Sequence, residues 1–194
     1  MFLFSCSDSA KKENREFKNG VVYFNTSNSH FLNEKNGELF DKSRKLHSNK
    51  DYKGCLHIIL KLKEEEPQNK LVLGSLGIVY LDLKEYDKSE KYLKGVTESH
   101  PDFFNNWINL SKLYISSKRF ELAEETLIKI VDLEKTEKEE LFYLLQRATV
   151  SFHLGNCTEA LFYCEDAIRQ SNDEWFLASA ENAYEEIKRD CVEK

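Results

Sequence analysis

Lys70-Leu-Val-Leu-Gly-Ser-Leu-Gly-Ile-Val-Tyr80, continued through Leu83-Lys-Glu-Tyr86 to Ser89, Leu93, Val96 and Pro101, is the stretch that decides the fold. Leu73, Leu76, Tyr80 and Leu83 recur at three- and four-residue intervals, which places their side chains on one face of a helix. Gly77 and Ser89 are small where two antiparallel helices would approach closely, and Pro101 ends the second helix because it has no amide proton to donate. The segment reads as one helical hairpin. A step of 34 residues along the chain reaches Trp107, Leu110, Ser111, Tyr114, Ala123, Leu127 and Ile130, which repeat the order large, large, small, aromatic, small, large, large. The hairpin is therefore the unit of an internal repeat.

One step back from Lys70, a weaker unit begins at Asn36 and contains Leu39, Ser43, Asp51-Tyr52, Cys55, Ile59, Leu62 and the breaker Pro67. A last unit begins near Leu141 and contains Leu144, Ala148, Leu154-Gly155-Asn156, Ala160, Cys164 and Ala167. Between the third and fourth units Lys135 replaces the proline, and Thr136 to Glu140 add about three residues of register. The segment from about Asn36 to Asp173 resembles tandem tetratricopeptide repeats, whose pattern has this period. The resemblance implies an all-α, right-handed α-solenoid of about four helical hairpins, at residues 36–69, 70–103, 104–137 and 141–174. Beyond them, Trp175, Ala178, Ala180, Ala183, Tyr184 and Ile187 form an apolar stripe flanked by charges, so residues 175–194 are expected to be a helix that caps the last repeat.

Composition agrees with helices and narrows function. The 194 residues include only 7 Gly and 2 Pro, too few breakers for the turns of an all-β sandwich, while 13 Phe, 9 Tyr and 2 Trp supply aromatic surface for a core. The net charge is −6, with basic residues interspersed among carboxylates, which argues against nucleic-acid binding, where phosphate contacts need clustered Lys and Arg.

Enzyme chemistry has no foothold in the motifs. His30, His47, His57, His100 and His153 form no HExxH pair, no G-x-S-x-G elbow occurs, and the glycines are scattered without a phosphate-binding fingerprint. Glu124-Glu125, Glu139-Glu140 and Glu185-Glu186 lie beside lysines, as solvated helix faces do. No cofactor and no metal site is expected. Cys55, Cys157 and Cys164 fall at repeat positions, lack metal spacing, and are expected to be small buried hydrophobes rather than disulfide partners.

Residues 1–6, Met-Phe-Leu-Phe-Ser-Cys, are an apolar stub followed by the polar run Ser7 to Asn14. Leu3-Phe4-Ser5-Cys6 resembles the lipobox of a bacterial lipoprotein with a shortened signal peptide, which implies lipidation at Cys6. Residues 7–35 would then be a flexible tether from the membrane to the repeats, interrupted by an apolar island at Val21, Val22, Tyr23 and Phe24. The implied location is the bacterial cell envelope, on either membrane, with the cytoplasm as the alternative.

The repeat resemblance also says which residues would face a concave groove: positions 2, 5, 9 and 12 of each first helix. These are Gly37, Phe40, Arg44 and His47, then Leu71, Gly74, Ile78 and Leu81, then Asn105, Ile108, Lys112 and Ile115, then Phe142, Leu145, Thr149 and Phe152. From these the candidate site takes Phe40, Arg44, Leu71, Ile78, Asn105, Ile108, Lys112, Phe142, Leu145 and Phe152, with His153 on the polar rim. Leu81, Ile115 and Phe152 have an alternative role, packing against adjacent helices. A half-exposed apolar floor would forgo roughly 1.5–3 kcal/mol per large side chain, so an apolar chain is expected to fill it. Two occupants suit it: a partner's helix or peptide, and the chain's own Val21 to Phe24. A carboxylate clamp for chaperone tails is not expected, because no unit has Lys and Asn at positions 5 and 9. The leading reading is a non-catalytic, membrane-tethered protein-interaction scaffold. A soluble cytosolic adaptor or chaperone is the alternative, and a small hydrolase a remote third.

Overall fold

The computed structural model describes residues 14–18, 21–25 and 30–192, with side chains from residue 30 to 191. Four antiparallel helix pairs follow one another: α1 (Glu34–Ser48) with α2 (Tyr52–Glu65), α3 (Lys70–Asp82) with α4 (Tyr86–Ser99), α5 (Phe104–Ser116) with α6 (Phe120–Ile128), and α7 (Glu137–His153) with α8 (Cys157–Gln170). A last helix, α9 (Glu174–Val192), packs on α8 and α7. Each pair also packs on the next, as a solenoid requires when no hairpin can bury its apolar face alone. The expected four hairpins and terminal helix are all present.

The repeat is written into the backbone of the turns. Lys50, Lys84 and Lys118 each take a left-handed conformation, with φ of 63°, 61° and 58°, and Gly155 does the same at 86°. After each, the next amide reaches back to the first helix: Asp51 N to Leu46 O, Glu85 N to Tyr80 O, Arg119 N to Tyr114 O and Asn156 N to Ser151 O, at 2.8–2.9 Å. This is the Schellman closure that satisfies orphan carbonyls at a helix end. The extra register before the fourth unit is taken up after the short α6, and α7 then starts on a capping box. Thr136 accepts from the Glu139 amide, and the Glu139 carboxylate accepts from the Thr136 amide.

Within each hairpin the close approach falls on small residues. Ser43, Gly77, Ser111 and Ala148 on the first helices face inward, as do Cys55, Ser89, Ala123 and Ala160 on the second, and the side chains among them are at most 2% exposed. At Gly77 a Cβ would lie 2.5 Å from Leu93 Cγ, and its carbonyl accepts from Ser89 Oγ at 2.7 Å. Alanine cannot enter there without moving a fully buried leucine.

Three expectations need correction. The stripe on α9 is led by Phe176 (2% exposed), which packs edge-on against Phe142, while Trp175 is 54% exposed. One residue of register decides this, because Phe176, Ala180 and Ile187 keep a common face and Trp175 does not. Cys157 is not a buried hydrophobe: it forms a disulfide with Cys191, joining the first turn of α8 to the last turn of α9. Their positions in separate sequence units hid the fact that antiparallel neighbours bring a helix start beside a helix end. Cys55 and Cys164 are buried free thiols, as expected. Finally, part of the expected flexible tether pairs as an antiparallel hairpin of β1 (Asn14–Lys18) and β2 (Val21–Asn25), in the register Lys18↔Val21 to Asn14↔Asn25. The apolar island at 21–24 is thus in β2. Cys6 and the rest of residues 1–13 lie outside the described residues.

Candidate functional site: the face lined by first helices

Helices α1, α3, α5 and α7 are the first members of their pairs; α3 meets α5 and α5 meets α7 directly, so their outward sides form one continuous face. The sequence spacing explains which residues reach it. Positions three and four apart share a helix stripe, and the stripe opposite the pairing partner is left for this surface.

A pocket of about 30 Å³ opens between α1, α3 and α5, lined by Phe40, Arg44, Leu71, Gly74, Ser75, Ile78, Phe103, Asn106 and Asn109, with Lys70 at its edge. A smaller one beneath it reaches Ser43, His47, Cys55 and Val79. Four of the residues expected in a groove, Phe40, Arg44, Leu71 and Ile78, therefore meet around one cavity. Ser75, Phe103, Asn106 and Asn109 join them from positions that the repeat pattern assigned to other roles.

The floor is less open than the sequence suggests. Phe40, Leu71, Ile78, Ile108 and Phe142 are 1–8% exposed, so the expected half-exposed row of apolar groups is a covered one. Phe40 lies 4.9 Å from the Phe31 ring, and Phe142 lies 4.8 Å from Phe176. Leu81 is buried in the core, and Ile115 and Leu145 are half-buried against it. Phe152 packs with Ala148, Ala160, Cys164 and Ile187 beneath α9. His153 stands apart at the exposed end of α7, its ring stacked on Phe120 at 4.1 Å.

Polar groups cross this apolar floor in a definite order. Arg44 is half-buried beside Asp41, at 3.3 Å. His47 Nε2 meets Asp82 Oδ2 at 2.7 Å, joining the last turn of α1 to that of α3. Asp82 also acts on Lys112 of α5: burial pushes the Lys112 amine below the usual lysine range, and the Asp82 carboxylate opposes that shift. Asn105 donates to Glu139 Oε1 at 2.9 Å in a buried bond, tying α5 to α7. None of Arg44, His47, Lys112, Glu139, Phe142, Phe152 and His153 lacks a partner. Asp82 was missed by the groove positions; its one signal in the sequence is a carboxylate ending an otherwise apolar helix.

The thiols do not supply a nucleophile. Burial pushes Cys55 up to about 12 and Cys164 up to about 11, so neither holds a thiolate near neutrality. Among the described residues no group of three or more His, Cys, Asp or Glu is placed to hold a metal ion, and no helix is long and apolar enough to cross a membrane.

Helical hairpins stacked at a fixed period around a shared face define a repeat solenoid of the kind that presents an extended binding surface. Residues 72–103 and 104–137 match the tetratricopeptide repeat family model, so the second and third hairpins are tetratricopeptide repeats. Among solved structures it resembles a thermophilic tetratricopeptide-repeat protein of Thermus thermophilus, with a TM-score of 0.64, 17% identity, and coverage of 81% of this chain and 90% of that one. It also resembles a tetratricopeptide repeat protein of Parabacteroides merdae, with a TM-score of 0.65, 16% identity, and coverage of 79% of this chain and 59% of that one. Among curated proteins, 64 residues are 36% identical to the Sol locus transcriptional repressor of Clostridium acetobutylicum, over 33% of this chain and 20% of that protein. The chain thus matches about a fifth of that relative's length.

Proposed function

We propose that the protein is a non-catalytic scaffold that holds an apolar peptide or helix of a partner protein on the face formed by α1, α3, α5 and α7. The observation that carries this reading is the pocket where Phe40, Leu71 and Ile78 from two adjacent first helices meet beneath half-buried Arg44, with Lys112 farther along the same face. The apolar floor supplies burial energy to a guest that displaces what covers it, and cations at its margin orient a guest that carries a carboxylate. Leu145 extends the apolar row onto α7, and Asn105 and Phe142 hold its base, while Phe152 serves the packing beneath α9.

Charge reversal at the two half-buried cations tests the reading. Lys112→Glu and Arg44→Glu are expected to reduce partner retention by about tenfold or more while the circular-dichroism spectrum is unchanged; Lys91→Glu, on an exposed side of α4, is expected to leave retention intact. Equal retention by all three variants would move the binding surface elsewhere.

The proposed location is the cell envelope, with a lipid on Cys6 as the tether. The Cys157–Cys191 disulfide supports an oxidising compartment over the cytoplasm, because structural disulfides seldom persist where thiols are kept reduced. Mass spectrometry of the peptide carrying Cys6 from membranes of producing cells is expected to find acyl chains; an unmodified thiol there would favour the soluble adaptor.

A further inference from the structure

Whatever occupies this face must have a shape, and the chain itself supplies an example. Cα atoms of β2 come within 8 Å of α5, the helix that carries Asn105, Ile108 and Lys112. β2 is an extended strand of sequence Val-Val-Tyr-Phe-Asn, paired along its length with β1. Between the two strands the sequence reads Asn19-Gly20, the dipeptide that best matches the twist of a two-residue hairpin loop. On α5 itself Ile108 is 1% exposed and Lys112 is half-buried, its amine desolvated, whereas Phe40 and Phe142 at the two ends of the row are covered by Phe31 and Phe176.

We infer that the β1–β2 hairpin is the resident occupant of the first-helix face, and that the partner segment which takes its place is an extended strand with adjacent β-branched and aromatic residues. The inference rests on the scaffold reading above and adds the partner's conformation and the competition that controls access. A strand suits the face because alternate side chains of a strand point to one side while its backbone stays free to pair with a second strand. A resident hairpin lowers the apparent affinity for a guest by the fraction of time the face is open, so partner binding is coupled to release of residues 14–25.

The test uses the full chain with Val21→Pro and Tyr23→Pro, the β2 positions whose amides face β1 in this register, since proline there removes ladder donors and breaks strand pairing. Two readouts are taken. One is acetylation of Lys112 by N-hydroxysuccinimidyl acetate, mapped by peptide mass and normalised to the turn residues Lys84 and Lys118. The other is binding of a fluorescent synthetic peptide of residues 13–26. The expected result is that Lys112 labelling rises by about tenfold in the variant and that the peptide binds the variant at least about tenfold more tightly than the wild type. Unchanged Lys112 labelling overturns the inference, whatever the peptide does. Raised labelling with no peptide binding supports the hairpin as a cover and overturns the scaffold reading, so the two fail separately.

Discussion

Replacing Cys157 and Cys191 with serine, or reducing the native protein, is expected to lower the melting temperature by about 6–15 °C. The bond closes a loop with a sequence separation of 34 residues, for which the chain-entropy argument gives about 3–4 kcal/mol of stabilisation. For a chain of this size each kcal/mol is worth roughly 2–4 °C. Location concentrates the effect. In a solenoid every hairpin is supported by its neighbours, and the last one has only α9 on its outer side. Freed at Cys191, α9 is held mainly by Phe176, Ala180 and Ile187, so opening begins at this end and exposes Ala160, Cys164 and Ala167. Hydrogen exchange in α8 and α9 under reducing conditions checks this, with α1 to α4 as the internal reference. Equal protection of α9 with and without the disulfide would show that packing alone holds the cap.

Ile108→Glu is expected to be the most damaging single substitution, costing more than about 4 kcal/mol and lowering the melting temperature by more than about 10 °C. Ile108 is 1% exposed, and its carbonyl accepts from Gln146 of α7. A carboxylate there enters the apolar cluster that includes Leu110, Leu113, Leu141 and Leu144, with half-buried Lys112 one turn on as its nearest cation in the helix, so most of its desolvation goes uncompensated. The position is also central, between the second and fourth hairpins, so neighbours on both sides lose a packing surface. Lys112, one turn along the same helix, is half-buried, and its reversal, opposed by the Asp82 carboxylate, is expected to cost less than Ile108→Glu. A thermal melt of the two variants side by side measures the contrast, and equal melting temperatures would place Ile108 at the surface.

That contrast marks the limit of what the sequence discloses. The stretch Lys70 to Pro101 carried the hairpin and its period, because Gly77, Ser89 and the breaker Pro101 each have one steric meaning in a helix pair. The insertion before α7 was legible too, since Lys135 stands where a proline ends the earlier units. A repeat pattern assigns residues to a face and says nothing of whether that face is covered. Ile108 and Lys112 occupy comparable groove positions, yet one is sealed and the other half-open. The disulfide was hidden for a related reason: Cys157 and Cys191 come together only once α8 and α9 are antiparallel. The hairpin, by contrast, had an overlooked local signal in Asn19-Gly20, between Glu16-Phe17-Lys18 and Val21-Val22-Tyr23.

The most direct measurement places a photo-crosslinking residue singly at positions 112 and 149 on the first-helix face, and at 91 and 185 on exposed sides of α4 and α9. Illuminated in producing cells, the first two are expected to trap one partner at a defined extended segment, and an excess of the peptide of residues 13–26 added to permeabilised cells is expected to suppress that product. Adducts confined to positions 91 and 185, or insensitive to the peptide, would contradict the account.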